Sequence, residues 1–214
     1  MAKAPEGLLY VDCSTVRPET SVGVAQATRD RGVRPLDAPV SGGQKGADEA
    51  TLSIMVGGEK EDFRAAKPVL DAVGKTVVRV GGDGAGQTVK AANQLLVAGI
   101  IELVAEALVL IEASGIDPGP ALEVLGGGLA GNRVLDIKSK SLVARDFRPG
   151  FRIDLHHKDM GIALAAARQA GVSLPVTALV AQLIAAVCAN GGGNLDHSPL
   201  LGLVEQLSGR RQQA

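Results

Sequence analysis

The chain has 214 residues, 46% of them hydrophobic and 21% charged, a balance that excludes intrinsic disorder and suits one large or two modest domains. Lys plus Arg number 22 against 23 Asp plus Glu, and aromatics are only 2%, so no surface for tracking phosphates or stacking bases is expected, and nucleic acid is not an expected partner. Two cysteines, Cys13 and Cys188, are too few for a disulfide scaffold or a thiolate metal site. The longest unbroken apolar runs, such as 95–101, are short for a bilayer, and no signal peptide is evident, so a cytoplasmic protein with no membrane partner is expected.

The first third alternates strand and helix. An apolar run over 8–11 ends at Asp12-Cys13-Ser14-Thr15, and Pro18-Glu19 open an amphipathic helix to about Arg31 with Thr15 as its expected cap. Residues 33–40 read as extended because Pro35 and Pro39 oppose a helix, and Ser41-Gly42-Gly43 follow as a turn. Residues 51–56 alternate as a strand that ends at Gly57-Gly58. A helix over 59–73 carries Phe63, Ala66, Leu70 and Val73 on one face, with Pro68 as an expected interruption, and 77–80 form another strand. After Gly86 the spacing of Val89, Leu96, Ile100, Leu103, Ala107 and Leu110 predicts one long helix from 87 to about 114. Further helices read over 121–125, 132–142, 159–170, 175–189 and 199–207, with no strand among them. The expected fold is α/β followed by all-α, divided into residues 1–82 and 83–214.

Several constellations carry possible chemistry. Gly126, Gly128 and Gly131 match G-x-G-x-x-G, but a helical segment precedes them, so they read as a helix–helix loop rather than a dinucleotide fingerprint. The glycines of 81–86 read as the turn that delivers the long helix. Lys90 and Asn93 share a face near the start of that apolar helix. There the dipole and desolvation both disfavour a lysine's charge, which suits proton transfer to or from an alcohol, while a lysine snorkelling off a helix end is the alternative. Ser41, Gly42 and Gly43 offer a hydroxyl and bare N–H groups to a carboxylate, or form an ordinary turn. Asp159 reads as a helix cap, and Lys158 meets either an anionic cofactor or solvent. His156 and His157 are adjacent and point apart, so no metal site is expected. Asp196-His197-Ser198 spell a hydrolase triad only in letters, because triad members converge in space rather than in consecutive residues.

The segments VDCSTV (11–16), LDAPVSGG (36–43), TLSIMVGG (51–58), GAGQTVKAANQ (84–94) and PGFRIDLHHKDMGIAL (149–164) together resemble the β-hydroxyacid dehydrogenases, over essentially the whole chain. The resemblance implies the C-terminal half of a Rossmann-like domain in 1–82 and a helical 6-phosphogluconate-dehydrogenase-like domain for substrate and dimerisation in 83–214. It implies NAD or NADP as cofactor, a small 3-hydroxy acid or its semialdehyde as substrate, and a homo-oligomer. It assigns catalysis to Lys90 and Asn93, carboxylate binding to Ser41, Gly42 and Gly43, and cofactor contacts to Thr15, Phe151, Lys158 and Asp159. GGLAGNRVLD (127–136) and RIDLHHKD (152–159) are most similar to members that reduce tartronate semialdehyde. Members that oxidise 3-hydroxyisobutyrate, or a catalytically silent helical dimerisation module, are the alternatives. The family's opening βαβ unit with its glycine fingerprint has no counterpart here, so an N-terminally shortened member that binds the cofactor poorly by itself is expected.

Overall fold

The computed structural model describes residues 5–210. They fall into two compact units, Met1–Gln94 with Gly161–Ser173 and Leu95–Met160 with Leu174–Ala214.

The first unit holds β1 (Leu9–Asp12), α1 (Pro18–Arg29), β2 (Arg34–Asp37), β3 (Val40–Ser41), α2 (Gly43–Asp48), β4 (Leu52–Gly58), α3 (Lys60–Asp71) and β5 (Gly74–Gly81). β1 pairs parallel with β2, and β4 pairs parallel with β5. Strands β2 and β3 both pair antiparallel with one edge of β4, with Leu36 opposite Gly58 and Val40 opposite Ile54. That register is continuous, so Ala38-Pro39 interrupts one strand rather than joining two separate ones. Leu36, Ala38, Leu52, Ile54 and Val56 of the sheet pack with Ala66 and Leu70 of α3. Alternate inward residues supply this core, as the period of a half-buried strand requires.

Three local expectations are corrected. The residue that caps α1 is Arg17, without a side-chain hydrogen bond, so Thr15 is not its cap. Pro68 lies inside α3 without ending it. It is on the exposed side, where the carbonyl it leaves unbonded meets water. Ser41 closes β3, and Gly43 opens the short α2 in place of a simple turn. Gly42 (φ +141°) and Gly43 (φ +64°) take backbone angles that side chains resist, which is why two glycines stand there.

The long helix α4 spans Ala85–Ala113 and contributes its first turns to the first unit. The remaining helices are α5 (Pro118–Gly127), α6 (Arg133–Val143), α7 (Ile153–Ala170), α8 (Pro175–Ala189) and α9 (Leu200–Leu207). The last turns of α7 belong to the first unit. In the second unit Val104, Ala105, Leu108 and Val109 of α4 pack with Leu122, Leu135, Leu142 and Leu201. Gly126 and Gly127 finish α5, and Gly128 to Gly131 lead to Asn132, whose side chain caps α6 through the Leu135 N–H at 3.0 Å. The G-x-G-x-x-G letters therefore lie in a helix–helix connection. α7 begins at Ile153, so Asp159 sits in its second turn and is not a cap.

The bilayer argument from unbroken runs also needs correction. α4 is 29 residues long with a mean hydropathy of 2.2 in its most apolar window, long and apolar enough to cross a membrane by length and composition. Glu102 and Glu106 interrupt the apolar residues in sequence without ending the helix. In the second unit, Leu96, Leu103 and Leu110 stand seven residues apart on α4 with exposures of 60%, 64% and 68%. Glu102 is 5% exposed, and its Oε2 has no hydrogen-bond partner among the described residues.

Burial, with Glu106 adding to it, pushes the Glu102 carboxyl up to about 7 from the ordinary 4.5. The folded state therefore holds a proton that the unfolded state has lost. This contribution is complete below about pH 4.5 and vanishes as pH rises through 7. Glu102→Gln is expected to stabilise the protein by about 1–2 kcal/mol at pH 8 and to leave it nearly unchanged at pH 4.5, as read by urea unfolding at the two pH values.

Candidate active site

The Asp12 carboxylate accepts the Ser14 N–H at 2.9 Å, which turns the chain out of β1 into the loop 13–17. This loop leaves the carboxyl end of a strand in a parallel pair, the position at which open α/β sheets bind ligands. Thr15 is half-buried within it, and Cys13 is exposed, its thiol pushed up by burial and by Asp12. Gln87, in the first turn of α4, holds the loop. Its Nε2 donates to the Ser14 carbonyl at 2.8 Å and its Oε1 accepts the Val16 N–H at 3.1 Å.

The start of α4 is fixed in turn by Asp37, the last residue of β2. One carboxylate oxygen accepts the Gly84 N–H at 2.8 Å and the other accepts the Gln87 N–H at 3.0 Å. Burial pushes the Asp37 carboxyl up, against the pull of these N–H donors. A methyl group on Gly57 would lie 2.3 Å from one Asp37 oxygen, and one on Gly86 would lie 2.7 Å from the other and 2.3 Å from the Met55 carbonyl. The glycines of these two motifs therefore make room for a buried carboxylate and its strand.

One helical turn later, Lys90 is only 6% exposed. Its Nζ donates to Gln94 Oε1 at 2.9 Å, and the Asn93 amide donates to the same oxygen at 2.8 Å. The ammonium is thus a buried, directed donor, and the snorkelling alternative is not what the helix presents. Ser41 is half-buried opposite Ser53, and Gly42 and Gly43 are exposed.

In the second unit, Phe151 packs edge-on against the rings of His156 and His197, at centroid distances of 5.7 and 5.5 Å. Lys158 is half-exposed, with Nζ 3.2 Å from Oδ1 of the buried Asp159. His156 is buried with Nδ1 3.1 Å from Nδ1 of His197, whereas His157 is exposed, so the adjacent histidines do point apart. Asp196, 2% exposed, accepts from Lys138 Nζ at 2.6 Å, from the Gly150 and Phe151 N–H groups at 3.0 and 3.2 Å, and from the Ser198 hydroxyl at 2.8 Å. Its neighbours Lys138 and Ser198 hold the segment together without the attack geometry of a hydrolase triad.

Sequence reading gave no role to four residues of these arrangements: Asp37, Gln87, Gln94 and Asp196, the last noted only as a letter of an apparent triad. Gln87 and Gln94 stand three residues before and four after Lys90, a helical spacing that puts them on its side. Nothing in the letters shows that both are buried.

Family models match the chain along nearly its whole length. Residues 1–82 match the NAD binding domain of 6-phosphogluconate dehydrogenase, and 84–204 match the model described as NAD-binding of NADP-dependent 3-hydroxyisobutyrate dehydrogenase. The chain belongs to the β-hydroxyacid dehydrogenase family. It is 42% identical over 206 residues to 2-hydroxy-3-oxopropionate reductase of Escherichia coli (strain K12), which covers 96% of this chain and 70% of that one. It is 39% identical to 2-(hydroxymethyl)glutarate dehydrogenase of Eubacterium barkeri, over 95% of this chain and 68% of that one. Among solved structures, 3-hydroxyisobutyrate dehydrogenase of Mycobacterium tuberculosis with L-serine superimposes with a TM-score of 0.84 at 32% identity, covering 94% of this chain and 71% of that one. The expected fold, an NAD-binding Rossmann-like part followed by a helical domain, is thereby met, and the chain is an NAD(P)-dependent oxidoreductase. The residues of the first unit fit a nicotinamide end: a polar loop at the carboxyl end of a parallel strand, tethered to the helix that carries a buried lysine.

Proposed function

We propose that this dehydrogenase interconverts a small 3-hydroxy acid and its semialdehyde, with 2-hydroxy-3-oxopropionate as the preferred carbonyl substrate. The observation that carries the reading is the buried Lys90 ammonium held beside Asn93 on one acceptor oxygen. Similarity to the Escherichia coli 2-hydroxy-3-oxopropionate reductase supports the choice of substrate.

The nicotinamide, when bound, supplies or takes up the hydride. Lys90 gives a proton to the carbonyl oxygen as it gains electron density and recovers it in the reverse direction. Gln94 takes one of its N–H bonds and thereby aims the others, and Asn93 orients the substrate oxygen. Ser41, Gly42 and Gly43 bind the substrate carboxylate through hydroxyl and backbone donors. Thr15 contacts the nicotinamide end, and the resemblance adds Phe151, Lys158 and Asp159 from the second unit. Residues 1–82 form the nucleotide-side domain and 83–214 the helical domain for substrate binding and self-association. The exposed stripe Leu96, Leu103 and Leu110 supports burial against a second copy. This reading takes the protein as a cytoplasmic enzyme acting on a small molecule.

A substrate panel tests the reading. Reduction of 2-hydroxy-3-oxopropionate with NADH or NADPH is expected at a kcat/KM at least tenfold above that for 3-hydroxyisobutyrate oxidation. The reverse order assigns the chain to the 3-hydroxyisobutyrate enzymes. A stable oligomer without turnover on either identifies a silent helical module and overturns the proposal.

A further inference from the structure

Gln87 is 1% exposed, and its side-chain amide bonds through both its nitrogen and its oxygen to backbone groups more than seventy residues away. Its Nε2 donates to the Ser14 carbonyl and its Oε1 accepts the Val16 N–H, so the two bonds straddle Thr15. Its own N–H is held by Asp37, whose strand pairs with β1 in register, Asp37 opposite Asp12. The end of β1, the end of β2 and the first turn of α4 thus close into one ring of hydrogen bonds. The clamp needs a donor and an acceptor on one side chain of this length. An apolar side chain such as Leu would fill the space without making either bond.

We infer that Gln87 is a positioning residue: its amide sets the loop that carries Thr15 against the helix that carries Lys90, so that cofactor contact and proton donor share one rigid frame. The inference rests on the proposed roles of Thr15 and Lys90. Gln87 touches neither substrate nor cofactor and acts through the backbone on either side of Thr15.

Gln87→Leu and Gln87→Glu in the full chain test it, with NAD(P)H affinity by calorimetry, steady-state kinetics, and hydrogen exchange at the Val16 amide. Gln87→Leu is expected to weaken NAD(P)H binding about tenfold, change kcat less than threefold, and speed Val16 exchange at least tenfold. Gln87→Glu carries an internal control. Protonated, the introduced carboxyl donates to the Ser14 carbonyl and restores the clamp; ionised, it repels that oxygen. The charged groups around the clamp are Asp12, Asp37 and Asp83 together with Arg17, Arg29, which pairs with Asp83, and Lys90 one helical turn on; at a position only 1% exposed, burial raises the introduced carboxyl above its ordinary range. NAD(P)H affinity of Gln87→Glu is therefore expected near that of the unsubstituted chain at pH 5 and about tenfold weaker at pH 8, a dependence the unsubstituted chain lacks. This comparison stays readable even if Gln87→Leu fails to fold. Unchanged Val16 exchange in Gln87→Leu, unchanged affinity in both variants, or a lowered melting temperature with no pH-dependent affinity overturns the inference. Full turnover in Lys90→Ala would instead remove the reading beneath it, whatever Gln87 does.

Discussion

Lys90→Ala is expected to lower kcat for carbonyl reduction by about 10²–10⁴, with substrate KM changed only a fewfold. The side chain is buried, and its Nζ is aimed by Gln94 rather than spread through solvent, so losing it removes a positioned acid that water does not replace. Lys90→Arg is expected to be nearly as inactive. A guanidinium keeps the charge but does not release a proton in the working pH range, and its planar fork does not fit the single acceptor that Lys90 and Asn93 share. Single-turnover measurement of NAD(P)H oxidation at saturating substrate checks this. Retention of more than about a tenth of the rate in Lys90→Ala would show that the proton comes from elsewhere.

The second large effect concerns stability. Asp196→Ala is expected to cost about 3–5 kcal/mol, because it leaves the largely buried Lys138 ammonium without its carboxylate and strips the acceptor from the Gly150 and Phe151 N–H groups. Asp196→Asn should cost less, since one amide oxygen still accepts. The cluster also sets a pH dependence. Burial holds His197 well below its ordinary 6.5, so it stays neutral in the fold. Burial pushes the Asp196 carboxyl up, but the Lys138 ammonium and the Ser198 hydroxyl hold it low. Both groups therefore bind fewer protons folded than unfolded. Stability is complete above about pH 6.5 and falls on acidification, first through His197 and then, below about pH 3.8, through Asp196. Glu102 contributes with the opposite sign between 4.5 and 7, so the cleanest background is Glu102→Gln. In that background, urea unfolding should show a loss from pH 7 to pH 5 that shrinks when His197→Gln is added. An equal loss with and without His197 would place the acid sensitivity in other groups.

Much of the architecture was legible because it follows local rules. The helix read over 175–189 is α8 at its observed bounds, and the helix read over 132–142 is α6 to within one residue at each end, with Asn132 as its cap. Errors arose where tertiary surroundings outvoted local signals. Pro68 continues a helix because its face is wet, and α7 starts six residues before Asp159 because its first turn is buried through Ile153 and His156. Counting unbroken runs understated the apolar length of α4, because two glutamates break an apolar run without breaking a helix.

The sequence alone determined the alternation of elements, the family resemblance and the identity of Lys90 and Asn93 as a pair, since each depends on spacing along one strand or helix. Only the tertiary structure decided what holds that pair and its loop in place. Asp37, Gln87, Gln94 and Asp196 are ordinary polar letters until folding removes them from water. Buried, each must then find its hydrogen bonds in protein, and for Asp37, Gln87 and Asp196 those partners lie tens of residues away, where no reading of neighbours along the chain reaches.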